Sequence, residues 1–171
     1  MANKKPKNMK YIGIDNGLSG ALVVLEEQKI VESLTMPIIS SDKNKREYDI
    51  SAIVNFLTKY SDAIAIVEKT QAMPKLGTVQ AHHLGKGFGI IVGILSALGI
   101  RYHVIHSKTW QSKLLRDCPG TDTKLKSILV TQRLFPKENF FRTERSKKID
   151  HNLCDAALLA FYGQQYLYKI E

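Results

Sequence analysis

The sequence predicts a mixed α/β fold. Three short apolar runs separated by tight turns open the chain, two further apolar runs follow with helical patterns between them, and the C-terminal part is helical. At 171 residues, with 44% hydrophobic and 24% charged residues, the chain has the size and composition of one folded domain with a proper core.

Residues 1–9 are polar and carry Lys4, Lys5 and Lys7, so they are expected to form a flexible basic tail ahead of a single domain, 10–171. KYIGID (10–15) reads as a buried strand, 20–26 as a second and 30–36 as a third that stops at Pro37, with EEQK as a turn. Strands linked so closely form an antiparallel meander. After a polar loop, DISAIVNFLTKY sets Ile50, Ile53, Val54 and Leu57 at helical spacing, and AIAIVE (63–68) is a short apolar strand ending in a carboxylate. KTQAMPKLG is a loop before a helix over about 78–98, and RYHVI (101–105) is the last strand. Helical patterns follow, broken by the extended basic linker FPKENFFRTERSKK before DHNLCDAALLAFYGQQYLYKI. This order describes a meander feeding parallel strands through helical crossovers.

The net charge of +9 favours polyanionic partners, and nucleic acid fits better than lipid. No apolar run approaches the roughly 18–20 residues of a membrane span, and MANKKPKNMK lacks the hydrophobic centre of a secretory signal. Cys118 and Cys154 stand far apart without metal-ligand spacing and read as reduced thiols. A cytoplasmic protein without membrane association is expected.

Alternate side chains of a strand face opposite sides, so Tyr11, Gly13 and Asp15 share one face while Ile12 and Ile14 share the other. Asp15 thus ends its strand at the C-terminal edge, where open α/β sheets place ligands, and Glu68 has the same station on AIAIVE. If these strands are parallel neighbours, two acids from distant positions meet. Their repulsion and lost hydration call for a proton or a cation, and oxygen donors of this kind suit magnesium or manganese. A third acid comes from the last helix. At about 100° per residue Asp150 is displaced by about 140° from Asp155, whereas His151 is about 40° away and shares its face. Asp150 reads as an N-cap or part of a frayed first turn, Asn152 is a weaker polar alternative, and His151 can either bind metal or relay protons.

The segments IGIDNGLSGALVVLEE, AIVEKTQAMP, GKGFGIIVGILSALGIRYHVIHSKTWQ, GTDTKLKSI and DHNLCDAALLAFYG, in this order, resemble the RuvC-like Holliday junction resolvases, above all their phage-type branch. The resemblance covers nearly the whole chain beyond the tail. It implies an RNase H-like fold, a five-stranded mixed sheet flanked by helices. It also implies a carboxylate cluster binding two magnesium ions, with manganese able to substitute, and a homodimer that nicks four-way DNA junctions symmetrically. Carried over by motif, the metal and catalytic residues are Asp15, Glu68, His151 and Asp155, although many members have an acid at the place of His151. Lys124 matches a basic residue near the family's active site, where it stabilises charge on the scissile phosphate or is simply a solvated helix lysine. The usual proline, two residues, tryptophan, lysine signature is altered: His106 stands for the proline and Gln111 for the lysine, so Trp110 reads first as core packing.

Lys108, Lys113, Lys124, Arg142, Arg145, Lys147 and Lys148 belong to a basic C-terminal half suited to phosphate contacts that weaken with salt. Gln71, Met73 and Lys75, in the loop after Glu68, are candidates to meet the junction itself. Gly85, Gly89 and Gly93 form a bare helix stripe, either a dimer seam or packing within the chain. An actin- or sugar-kinase-like ATPase shares the opening strand and turn but closes two lobes around its nucleotide, for which this length leaves no room, so no nucleotide cofactor is expected. Two rivals stay open: a non-catalytic junction-binding protein, and an RNase H-like nuclease for other branched DNA or RNA–DNA hybrids.

Overall fold

A computed structural model describes residues 9–40, 45–69 and 77–167. Five strands, β1 (Lys10–Asp15), β2 (Ala21–Glu26), β3 (Lys29–Thr35), β6 (Ile64–Glu68) and β7 (Arg101–Ile105), form one sheet in the order β3-β2-β1-β6-β7. β1, β2 and β3 pair antiparallel, and β1, β6 and β7 pair parallel. The meander therefore supplies one half of the sheet and the crossovers the other. Glu27 and Gln28, both at positive φ, make the tight turn between β2 and β3.

The segment 38–48, expected as a polar loop, instead contains a small antiparallel pair, β4 (Ile38–Ser40) and β5 (Arg46–Tyr48). Ile38 and Ile39 are exposed, so these strands carry no buried alternation to mark them in the sequence.

Helices cover both faces. On one, Ile12, Ile14, Leu22, Val24, Ala65 and Val67 meet Ile53, Phe56 and Leu57 of α1 (Ile50–Thr58) and Ile91 and Leu95 of α2 (Thr78–Ala97). On the other, Tyr11, Val23, Leu25 and Ile66 meet α3 (Ser107–Leu114), α4 (Thr123–Leu134) and α5 (His151–Tyr166). Ile50, which the helical spacing set with the core residues of α1, is half exposed at its first turn. Gly99 at φ 67° turns the end of α2 into β7, with Ile100 N donating to Leu95 O at 2.9 Å.

The helix α5 is buried nearly all round because it lies between the sheet and α4. Its approach to β1 is so close that a side chain at Gly13 would strike the Ala156 carbonyl and the Ala160 amide. This contact brings the first turn of α5 over the C-terminal ends of β1 and β6.

Candidate active site

The parallel register of β1 and β6 runs up to Ile14 opposite Val67, so Asp15 and Glu68 are the next residues on adjacent strands. Asp15 shares its face with Tyr11 and Glu68 with Ile66, and both belong to the side covered by α5. The two acids line one cleft of about 510 Å³, together with Asn16, Ser107, Lys108 and Thr123. Asn16 joins the strand ends: its Nδ2 donates to Glu68 O at 2.8 Å, and its own carbonyl accepts from Tyr48 Oη at 2.9 Å.

Burial raises the Asp15 carboxyl to about 6; the Gly17 amide, donating at 3.2 Å, lowers it, and the charges of Glu68 and Asp150 raise it. Burial raises Asp155 further, to about 7. The Ser127 hydroxyl lowers it, Asp15 and Glu68 raise it, and Lys124 lowers it. The last helix thus delivers Asp155 into electrostatic range of both strand-end acids.

Oδ1 of Asp155 is buried without a hydrogen-bond partner. A carboxylate oxygen left so, beside two further carboxylates, fits a hard divalent cation by its chemistry. The spacing is looser than a finished cage: among the described residues, no three His, Cys, Asp or Glu side chains are gathered tightly enough to hold a metal ion as they stand.

Of Asp15, Glu68 and Asp155, Glu68 is the best anchored. Ser107 Oγ donates to its Oε1 at 2.6 Å and Trp110 Nε1 to its Oε2 at 3.0 Å. Trp110 is therefore a core residue, 0% exposed, that also holds a cleft acid. Ser107 and Asn16 had no part in the sequence reading. Their available signals were slight: Asn16 straight after Asp15, and Ser107 one helical turn before Trp110.

Asp150 caps α5, accepting from the amide of Asn152 at 2.9 Å and from its side chain at 3.0 Å. Asn152 is thereby engaged with the cap. His151 is half-buried, and burial and then Lys124 lower its pKa, against Asp150 and Asp122, which raise it. Its charged neighbours differ from those of Asp155, with which it shares Lys124. Lys124 is exposed in the first turn of α4, whose cap, Asp122, accepts from the Lys124 amide at 2.8 Å.

Lys108 borders the cleft, and Lys113 is exposed at the end of α3. Arg145, Lys147 and Lys148 are exposed, and the last two line a shallow basic hollow with His151. Arg142 borders this hollow, yet its Nη1 is turned inward to Ser19 O and Asp150 Oδ2. Gln71, Met73 and Lys75 lie outside the described residues. An added Cβ at Gly85, Gly89 or Gly93 would meet nothing within 4 Å among the described residues, so the stripe packs against none of them. Cys118 and Cys154 are free and buried, and no helix among the described residues is long and apolar enough to cross a membrane.

The sheet order and its flanking helices constitute an RNase H-like fold. Among solved structures that share it is T. thermophilus RuvC in complex with a Holliday junction substrate, with TM-score 0.67 and 14% identity over 94% of this chain and 96% of that one. A further Thermus thermophilus RuvC structure gives TM-score 0.59 and 16% identity over 91% and 96% of the two chains. No protein-family model and no curated protein sequence matches the chain.

Proposed function

We propose that this protein is a divalent-metal-dependent endonuclease that resolves four-way DNA junctions by paired symmetric nicks. One observation carries the reading: Asp15, Glu68 and Asp155, from three separate elements, gather at one sheet edge of a fold shared with a RuvC bound to a Holliday junction substrate. The surplus of +9 charges supports a polyanionic substrate. On this reading residues 10–171 are one nuclease domain, residues 1–9 a basic extension, and the setting a reducing cytoplasm. The order of the quoted segments favours the phage-type branch of the RuvC-like resolvases.

Asp15, Glu68 and Asp155, with His151 at the margin, are the residues that would hold two magnesium ions, or manganese in their place. Such ions, when bound, polarise the phosphodiester and lower the pKa of water. The chain supplies the remainder. Lys124 faces the charge that develops on the scissile phosphate. His151, kept toward its neutral form by burial and Lys124, is able to accept a proton. Lys108, Lys113, Arg145, Lys147 and Lys148 bind backbone phosphates, and Gln71, Met73 and Lys75 meet the branch point. A homodimer formed along the open Gly85, Gly89 and Gly93 face sets two such clefts on equivalent strands, which explains symmetric nicking.

The test uses synthetic four-way junctions, flaps and RNA–DNA hybrids, with and without magnesium, for wild type, Asp15→Asn and Glu68→Gln. Paired nicks in the junction that both substitutions abolish, with binding retained, bear out the proposal. Unchanged nicking in both variants refutes the site. Preferred cutting of hybrids or flaps selects the other nuclease reading, and binding without cutting at any metal concentration selects the non-catalytic one.

A further inference from the structure

We infer that Ser107 and Trp110 act as a two-point clamp that positions Glu68 for a cation and ties the protein's single tryptophan to occupancy of the site; the inference rests on the reading of Glu68 as an ion ligand. The clamp is built from adjoining elements. Glu68 ends β6, β7 lies parallel beside it, and the chain passes from β7 into α3 within one residue, so the first turn of α3 faces Glu68. Lys69 N donates to Ile105 O at 2.7 Å, holding the two strand ends together. Ser107 and Trp110, three residues apart on α3, point the same way.

Each donor takes one oxygen. Ser107 Oγ is 2.6 Å from Oε1 and Trp110 Nε1 is 3.0 Å from Oε2, which fixes both the position and the plane of the carboxylate. Each carboxylate oxygen retains further lone-pair capacity for an ion approaching from the cleft. Asp155 differs, since its Oδ1 has no donor. A buried indole N–H needs some acceptor, and here it uses a side-chain carboxylate at the cleft wall. Core packing alone would leave Glu68 indifferent to the loss of either donor. The clamp predicts that it is not.

Two measurements on the intact protein test this. Tryptophan emission is followed during magnesium titration, and magnesium binding is measured separately by calorimetry, for wild type, Glu68→Gln, Ser107→Ala and Ser107→Thr, with thermal melts to verify folding. The expected result is a saturable emission change in wild type that tracks the calorimetric isotherm and vanishes in Glu68→Gln. Ser107→Ala should weaken magnesium binding about 10-fold, as loss of a partner to a metal ligand commonly does, and Ser107→Thr, which keeps the hydroxyl, should restore it. Calorimetric binding with flat wild-type emission, or with undiminished affinity in Ser107→Ala, overturns the clamp and leaves the metal reading intact. If wild type binds no magnesium by calorimetry, the ion-ligand reading of Glu68 falls first and the clamp with it.

Discussion

Nη1 of Arg142 lies 3.0 Å from Oδ2 of Asp150 and 3.0 Å from the carbonyl oxygen of Ser19, so one nitrogen ties the turn after β1 to the cap of the last helix. Asp150 is 7% exposed at its side chain and Arg142 35%, and the Asp150 charge reaches Asp15. Removing the arginine strands a nearly buried anion beside the cleft. Arg142→Ala should cost about 2 kcal/mol in urea unfolding, less than a fully buried pair because the guanidinium is partly solvated. A loss below about 0.5 kcal/mol would place Arg142 among ordinary surface residues, free for DNA.

The carboxyls of Asp15 and Asp155, raised from 3.8 to about 6 and about 7, make stability depend on pH. Groups raised in the folded state favour folding most below their unfolded pKa, and that contribution is lost as pH climbs through the folded values. The metal-free protein should therefore lose melting temperature between about pH 4 and pH 7 through these groups. Magnesium should restore more of it at pH 8 than at pH 6, because protons no longer compete. Asp155→Asn should stabilise the metal-free protein at pH 8 by on the order of 2 kcal/mol and abolish the magnesium effect. Calorimetric melts across this range decide it, and a flat profile in wild type would contradict the burial of these acids.

Lys124 lowers the pKa of both His151 and Asp155. Lys124→Met should accordingly raise the His151 titration midpoint, read from its imidazole proton resonances. If Lys124 faces the scissile phosphate, nicking should fall about 100-fold, while the salt slope of junction binding should drop by about one. An unmoved His151 midpoint would separate the two side chains.

Gly13 and Gly89 should respond oppositely to alanine. At Gly13 the new methyl meets the backbone of α5, which cannot yield without leaving the sheet, so Gly13→Ala should destabilise by about 3 kcal/mol. At Gly89 nothing among the described residues stands within 4 Å of an added Cβ, and Gly89→Ala should stabilise the isolated chain by about 0.5–1 kcal/mol. A bulkier Gly89→Leu should weaken self-association in sedimentation if α2 forms the dimer seam. Unchanged association would move the seam elsewhere.

The sequence alone determined the five strands of the main sheet, the helical crossovers and the station of Asp15 and Glu68 at strand ends, because alternation and helical spacing are local properties; it offered Asp150 as a cap or a frayed first-turn residue, and the structure made it the cap. It missed the pair of strands at 38–40 and 46–48, which buries too little to leave a pattern. Only the tertiary structure decided which side chains meet. Gly13 lets α5 settle against β1 and brings Asp155 to the strand-end acids; β7 beside β6 delivers Ser107 and Trp110 to Glu68; and Ser19, 123 residues from Arg142 in the chain, becomes its partner. Such contacts depend on how closely whole elements approach, and the spacing of residues along one strand or helix carries no record of that distance.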